Sequence, residues 1–546
     1  MFIDGRGLQP DTTLQADVCI IGTGMGALSA ARPLVQAGRD VLFIEAGPVT
    51  ASRRAPAALS IDNVGRPFGI ATSRGLEVGG GTAFWHGVCA PLDEEDFIER
   101  PWIAHSGWPI ARSELAPWYA QALELLCGRQ DEPGEAFGPG SGAMCSTDVF
   151  DAKTYRYRSP PFRGKDILRA WCGQGSARCV YNATGLQLLH RHGRAHTLVV
   201  GSGQQRLRVV ANRFVVAAGA LETPRLLLNS LRQPGAMQPS SWWLGRNLID
   251  HPAGYLSQLR FRQPFSKPPG SPGKARAEPQ AFPGFLLKSE IQRTHQLPNH
   301  AVFIRAGISR HPVPNRAVMS FLGVRGPRDL AWSHLAALAV HPYILWRMLH
   351  QKLGLSVRSR RGDLFFMTEQ MPNPYSRVTL SERRRDAFGM PVARVDWQLG
   401  EQDIAMFARY HELLVASLRG HAEVDELRAD PLAHWSASLA SAAHHLGTAR
   451  MGATMQDGVV DRNLKVFGFE NVWVSDGSVF PTAGSVNPSL TICALGHRLG
   501  AQLGQQGLVP DALREQVDYR DAGDDQPETG NGGQVEALAV DDPADR

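Results

Sequence analysis

The sequence predicts an α/β protein with a discontinuous, Rossmann-like dinucleotide-binding domain and a second, α+β domain built on a mostly antiparallel sheet. Three observations lead to this prediction. A glycine-rich turn follows an apolar strand near the N-terminus, and similar apolar strands ending in small residues recur far along the chain. The length of 546 residues, at 43% hydrophobic content, suits two connected domains better than one.

The first predicted element is a strand, a tight turn and a helix. Val18–Ile21 is an apolar run typical of a buried parallel strand. Glycines after such a strand let the backbone approach a pyrophosphate at the next helix N-terminus, and Ala27 suits close packing of that helix on the strand. The residues of this turn that are predicted to bind the cofactor are Gly22, Gly24, Met25 and Gly26.

The second predicted strand, Val41–Ile44, ends at an acidic residue. Glu45 lies 23 residues after Gly22, about where a carboxylate that binds a ribose hydroxyl is expected. A glycine-rich turn alone also occurs in α/β proteins without a nucleotide. The ordered strand, turn, helix, strand and acid favour a dinucleotide.

The cysteines and the N-terminus indicate the compartment. Seven cysteines, an odd number without a Cys-x-x-Cys pair, predict free thiols in a reducing environment, with no metal site and no disulfide framework. The first residues lack the basic and apolar regions of a secretory signal. A cytoplasmic location is therefore predicted.

Charge is unevenly distributed along the chain. The formal net charge is +5, although the segment from Arg514 onward carries ten acidic against three basic side chains. The remaining basic body is typical either of an ordinary arginine-rich surface or of a protein with an anionic partner or surface. No nucleic-acid partner is predicted, and the acidic tail at 508–546 is expected to be disordered.

One internal segment, residues 335–361, could contact a membrane. Its apolar part, Leu335–Trp346, is too short to span a bilayer, and basic residues follow it. A helix lying on a membrane or partner surface is one interpretation, and a partly buried helical insertion is the other.

The middle of the chain predicts a return to the nucleotide-binding domain. Arg178–Tyr181 is a short strand candidate, and His196–Val200 with Leu207–Val210 suggests a small antiparallel sheet. Phe214–Ala220 then predicts a further strand ending in small residues, where a ligand can approach the backbone.

From about Asp17 to Leu503 the chain resembles the glucose-methanol-choline (GMC) oxidoreductases, which bind FAD. The resemblance rests on ordered landmarks: the opening glycine turn with Glu45, Val78–Thr82, Ala217–Ala220 with Thr223–Pro224, Gly245–Pro252, and the block from His444 to Asn487. It implies an FAD-binding domain from residues 1–100, 175–255 and 441–507, and a substrate-binding domain from 101–174 and 256–440. Glu369–Leu380 resembles a strand pair of bacterial members that act on sugars and other alcohols.

The resemblance implies that His444 and Asn487 are catalytic. His444 would take the proton of a substrate hydroxyl while hydride leaves for flavin N5, and Asn487, which cannot be a base, would bind the substrate oxygen. His445 is the rival base. In an extended stretch adjacent side chains point to opposite faces, so only one of the two histidines would face the flavin.

Other cofactor contacts are implied in the same way. They are Gly79, Gly80, Thr82, Val180, Ala218, Asp476, Pro488, Ser489 and Leu490. Some relatives attach FAD covalently through a histidine at the position of Phe84, so noncovalent FAD is expected here. His86, two residues on, keeps covalent attachment open.

The resulting prediction is an FAD-dependent oxidoreductase that oxidises the CH–OH group of a small alcohol, polyol or sugar-like substrate. The expected electron acceptor is a quinone or an acceptor protein. The alternatives are an oxidase that makes hydrogen peroxide, a non-redox lyase that holds FAD, and a noncatalytic binding protein. NAD is disfavoured because the later landmarks belong with a bound flavin.

Overall fold

The computed structural model describes residues 1–50, 60–68, 73–128, 148–158, 160–232, 241–266, 280–306, 331–340, 342, 358–418, 422–425 and 431–505. The predicted acidic tail at 508–546 and most of the segment 335–361 lie outside these ranges. Within them, no helix has both the length and the apolar character needed to cross a membrane.

The described residues form three sheets. In chain order the strands are β1 (Phe2–Asp4), β2 (Thr13–Ile21), β3 (Val41–Ile44), β4 (Asp62–Asn63), β5 (Val88–Cys89), β6 (Phe150–Tyr157), β7 (Arg178–Tyr181), β8 (Thr184–Arg191), β9 (Arg194–Ser202), β10 (Gln205–Val216), β11 (Pro252–Ser266), β12 (Gln280–Leu287), β13 (Ala301–Ala306), β14 (Arg358–Met367), β15 (Arg377–Arg385), β16 (Pro391–Asp396), β17 (Ala422–Asp425), β18 (Ala440–Ser441) and β19 (Val472–Val474).

Helices connect and cover these sheets. They are α1 (Met25–Gln36), α2 (Glu94–Phe97), α3 (Arg112–Cys127), α4 (Gly164–Gly173), α5 (Glu222–Ser230), α6 (Ser289–His295), α7 (Trp332–Val340), α8 (Glu401–Leu418), α9 (Pro431–Ser438) and α10 (Ser489–Gln505). Helix α7 includes the first residues of the segment 335–361, for which membrane contact is one interpretation of the sequence. None of its described side chains is buried, and Trp332 is 86% exposed.

The first sheet has the order β1-β7-β3-β2-β10-β9-β8, with β19 added on β10. Strands β7, β3, β2, β10 and β19 run parallel, as strands joined by crossover helices do, and β2-α1-β3 is such a unit. The side chains of β3 and the second half of β2 are buried. The predicted strands Val41–Ile44 and Arg178–Tyr181 are confirmed, and so is the α/β fold class.

One long strand replaces two predicted ones. The sequence predicts Leu207–Val210 and Phe214–Ala220 as separate strands, but β10 is continuous over twelve residues and ends at Val216. Its first half pairs with β9 in antiparallel fashion, and the part from Arg208 to Val216 pairs with β2 in parallel. The polar interruption that suggested a break includes Arg213, whose buried guanidinium donates a hydrogen bond of 2.7 Å to the Leu503 carbonyl.

The second sheet has the order β17-β11-β14-β13-β12-β6-β5, is antiparallel throughout, and carries β18 on β11. Helix α8 contributes Phe407, Tyr410 and Leu414 to the core cluster that this sheet forms with residues such as Phe366. The predicted antiparallel second domain is thus present as a sheet. The domain boundaries given above stay a prediction.

The region Glu369–Leu380 is not a strand pair. Strand β14 ends at Met367, and β15 begins only at Arg377 before pairing with β16. Pro372 and Pro374 lack the N–H groups that a ladder needs, so the chain between the strands forms a connection instead.

Helices α1 and α10 approach closely because small residues face each other. A Cβ added to Gly496 would lie 3.0 Å from the carbonyl oxygen of Gly26, and one added to Gly500 would lie 2.1 Å from that of Ala30. This contact fixes the start of α10 beside the glycine turn that precedes α1.

Candidate active site

A large cavity lies where the parallel strands of the first sheet end. Its volume is about 1220 Å³, and its wall includes residues that follow β2, β3, β10 and β19. The carboxyl ends of parallel strands are where open α/β sheets bind their ligands. Twelve predicted site residues line it: Gly22, Gly24, Met25, Gly26, Glu45, Gly80, Ala218, His444, Asp476, Asn487, Pro488 and Ser489.

The glycine turn forms a cradle that only small residues permit. Gly22 has φ +105°, and a Cβ there would lie 2.4 Å from the Ala217 carbonyl oxygen. A Cβ on Gly26 would lie 1.8 Å from the carbonyl oxygen of Ser475. By contrast, a Cβ on Gly24 would meet no protein atom within 4 Å, because this residue borders the cavity.

Gly24 also caps helix α1 without a side-chain hydrogen bond. The first N–H groups of a helix lack partners within the helix and carry a partial positive charge. The first N–H groups of α1 lie at the cavity wall, in a position suited to bind a pyrophosphate. The turn therefore suits the dinucleotide that the sequence predicts.

Glu45 is a buried carboxyl group on the same wall. Its Oε2 accepts a hydrogen bond from the Thr23 hydroxyl, and its Oε1 accepts one of 2.8 Å from the Gly47 N–H. Burial raises the pKa of Glu45 to about 7. Each carboxylate oxygen can accept a further bond, so the group can also bind a ribose hydroxyl.

Asp476 ties the end of β19 to the loop before α5. Its Oδ2 accepts hydrogen bonds from the Gly219 N–H at 2.8 Å and the Thr223 hydroxyl at 2.6 Å, and its Oδ1 accepts one from the Ser478 N–H at 2.8 Å. The carboxylate thus holds three segments of the cavity wall together.

Four predicted cofactor residues do not line the cavity: Gly79, Thr82, Val180 and Leu490. The hydroxyl of Thr82 donates to the Gly79 carbonyl at 2.6 Å, which tightens the glycine segment that includes Gly80. The Val180 carbonyl accepts the Glu45 N–H at 2.9 Å, while its side chain and that of Leu490 are buried in the core. The structure thus gives these four residues supporting positions.

His444 and Asn487 come together at the cavity wall, 43 residues apart in sequence. The Asn487 Nδ2 lies 3.3 Å from the His444 Nε2. The protein atoms around the His444 ring exclude water from it and so hold its pKa well below the usual range. The nearby rings of His251, His445 and His86 lower this pKa further. At neutral pH the imidazole is therefore uncharged and able to accept a proton.

His445 also lines the cavity, and the opposite orientation of the two histidines that an extended stretch would give stays a prediction. The stretch is not a plain strand, because Ala443 has φ +63°. The His445 Nε2 lies 3.8 Å from Asp250 Oδ2 and has no hydrogen-bond partner among the described residues, and the ring packs 4.8 Å from that of Phe68. Burial lowers the pKa of His445 too, but it lacks the contact with Asn487 that His444 has.

Two residues of this site, Asp250 and His251, are not predicted from the sequence. The Asp250 Oδ1 accepts the backbone N–H of His444 at 3.1 Å, and the His251 Nδ1 lies 3.2 Å from the His444 Nδ1. Both residues stand in the landmark Gly245–Pro252, but a separation of more than 190 residues from His444 concealed the contact. The signal that the sequence offered for this contact was an acidic residue directly followed by a histidine, Asp250 and His251.

Phe84 and His86, the two candidates for the covalent attachment position, both line the cavity. His86 is close enough to lower the pKa of His444 electrostatically. The expectation of noncovalent FAD stays a prediction.

Sequence comparisons place the chain among known enzymes. Models of the N-terminal and C-terminal parts of GMC oxidoreductases match residues 164–253 and 372–496. The chain is 24% identical to 2-methyl-1,2-propanediol dehydrogenase of Mycolicibacterium austroafricanum, over 89% of this chain and 94% of that protein. It is also 24% identical to the fructose dehydrogenase large subunit of Gluconobacter japonicus, over 89% and 97%.

Solved structures give the same fold. A structure of Aspergillus oryzae formate oxidase, determined to examine FAD modification, has a TM-score of 0.53 at 16% identity and covers 90% of this chain and 98% of its own. The chain is therefore similar to GMC oxidoreductases over the two matched segments and shares the fold of the formate oxidase.

Proposed function

We propose that the protein oxidises the CH–OH group of a small alcohol, polyol or sugar-like compound and passes the electrons to an acceptor other than oxygen. The observation that carries the proposal is the pairing of His444 Nε2 with Asn487 Nδ2, 3.3 Å apart on the wall of the cavity that holds the predicted FAD-binding residues. The dehydrogenase names of the two full-length relatives support the substrate class and the type of acceptor.

His444 is the proposed base. Its pKa is held low, so the ring is neutral and its Nε2 can take the proton of a substrate hydroxyl. The Asn487 amide N–H donates a hydrogen bond to the same oxygen and stabilises the negative charge that develops there. Bound FAD would supply the hydride acceptor for the carbinol carbon.

The substrate class agrees with the mixture of side chains around the histidines. The cavity is lined by the aromatic residues Phe68, Phe84 and Tyr255 and by the hydroxyl-bearing residues Ser438 and Ser441. Aromatic faces pack against the C–H surface of a polyol or sugar, while hydroxyl groups bond to its oxygens.

The test is an anaerobic screen in which the holoenzyme is mixed with alcohols, polyols, sugars and glycosides while flavin absorbance is recorded. We expect bleaching with at least one of these compounds, and recovery when a quinone is added. Hydrogen peroxide formed in air as fast as substrate is consumed would make the protein an oxidase. Consumption of substrate without bleaching would contradict the redox proposal and support a lyase.

A further inference from the structure

The ring of His251 is held by two backbone carbonyl groups. Its Nε2 lies 3.2 Å from the Ala483 oxygen and 3.0 Å from the Gly484 oxygen. Carbonyl oxygens only accept hydrogen bonds, so the His251 Nε2 must carry a hydrogen and donate it.

His251 is fully buried, and its charge state follows from its surroundings. Burial lowers the pKa of this imidazole, and this effect outweighs the opposing influence of Asp250 and Glu369, the two carboxylates that face it. A neutral imidazole has one ring hydrogen, which is the one on Nε2. The His251 Nδ1 is therefore a bare acceptor.

This acceptor fixes the hydrogen of the neighbouring ring. The His251 Nδ1 lies 3.2 Å from the His444 Nδ1, and two bare nitrogens at that distance would repel each other. The neutral His444 ring must accordingly donate from Nδ1, which leaves a lone pair on Nε2. That lone pair points at Asn487, whose amide N–H can donate to it.

We propose that His251 is a positioning residue that fixes the tautomer of His444, so that its bare Nε2 faces the substrate. The inference rests on the proposed function, in which the His444 Nε2 is the base. It adds a reason why this nitrogen, and not Nδ1, is the basic atom.

Asp250 holds the two rings in place. Its Oδ1 accepts the backbone N–H of His251 at 2.6 Å and that of His444 at 3.1 Å, and its Oδ2 accepts the Ser441 hydroxyl at 2.6 Å. The two imidazole planes meet at 83°, with centroids 5.1 Å apart. One buried carboxylate thus sets the backbone positions from which both rings extend.

The test compares two substitutions at His251. Replacing it with Phe fills a similar volume but removes the acceptor. Replacing it with Asn places an amide oxygen near the position of Nδ1, where it can still accept from His444. His411→Phe is the matched control, because His411 is another buried histidine, bonded through its Nε2 to Ser257 at 2.8 Å and absent from the cavity wall.

The first measurement reads the tautomer directly. In holoenzyme labelled with ¹⁵N-histidine, the His444 signals are those missing from His444→Asn. We expect a bare Nε2 and a protonated Nδ1 in the wild type, His251→Asn and His411→Phe, and a shift towards protonated Nε2 in His251→Phe. A protonated Nε2 in the wild type, or equal spectra for the wild type and His251→Phe, would overturn the proposal.

The second measurement is the rate of flavin reduction under anaerobic conditions. An enzyme whose catalytic histidine is held in the wrong tautomer can lose ~10⁴-fold in kcat. In His251→Phe the His444 ring can still adopt either tautomer, so we expect a smaller loss, about 10²-fold in the rate of flavin reduction. Rescue by His251→Asn separates this effect from a general loss of packing, and equal losses in both variants would contradict the proposal. If His444→Asn leaves the rate unchanged, the proposed base is wrong, while the ¹⁵N spectra still report what His251 does to the ring.

Discussion

The two ends of the cavity are built by different means. At the predicted dinucleotide end, the shape comes from the backbone of one continuous strand, turn and helix, with Gly22 and Gly26 at contacts that no side chain could occupy. At the end with the histidines, side chains meet from segments that are far apart in sequence, with His251 and His444 separated by 193 residues. The first end therefore takes its shape from one continuous segment that packs closely against Ala217 and Ser475, and the second is assembled from the side chains of distant segments.

This difference separates the expected effects of substitution. Changes in the glycine turn should alter FAD binding or folding, because the turn offers shape and backbone N–H groups. Changes among the histidines should alter the rate with FAD still bound, because those side chains handle a proton.

The largest effect is expected for His444→Ala. Loss of a general base commonly lowers a rate ~10²–10⁴-fold, so flavin reduction should slow by that factor while the FAD content stays unchanged. His445→Ala is the matched control, since its ring lines the same cavity but does not contact Asn487. Stopped-flow absorbance measures both rates. A large loss in His445→Ala with little change in His444→Ala would exchange the proposed roles.

The same contrast explains what could be predicted from sequence. The strand Val41–Ile44 has the predicted bounds, because a short apolar run between turns leaves little choice. The sequence predicts strand β10 in two pieces, since nothing local indicates that Arg213 finds a buried partner at Leu503. The role of His251 could not be predicted for the same reason, because its partners are set by the fold.

A smaller effect is expected in the glycine turn, where two substitutions should differ in kind. In Gly26→Ala the new Cβ meets the Ser475 carbonyl at 1.8 Å, and overpacking of this sort costs typically ~1–3 kcal/mol of stability. Thermal unfolding of the apoprotein should detect this loss.

Gly24→Ala is the control for that comparison. Its Cβ meets no protein atom within 4 Å, and the residue has φ −71°, which alanine tolerates. The apoprotein should unfold at the wild-type temperature, while the Kd for FAD rises because the Cβ enters the cavity. Equal stability of the two apoproteins would show that the turn can relax around a methyl group.

The smallest effect concerns pH and returns to the histidines. Only neutral His444 can accept a proton, so the rate of flavin reduction is lost as pH falls through its pKa. Since that pKa is held well below 6.5, the rate should stay level from pH 8 to pH 6.5 and fall only under more acidic conditions. His86 lowers the pKa of His444, so in His86→Gln this fall should begin at a higher pH. His295→Gln, at the end of α6 and absent from the cavity wall, should keep the wild-type profile. A wild-type profile that already falls between pH 8 and pH 6.5 would mean that protein enclosure does not keep this imidazole neutral.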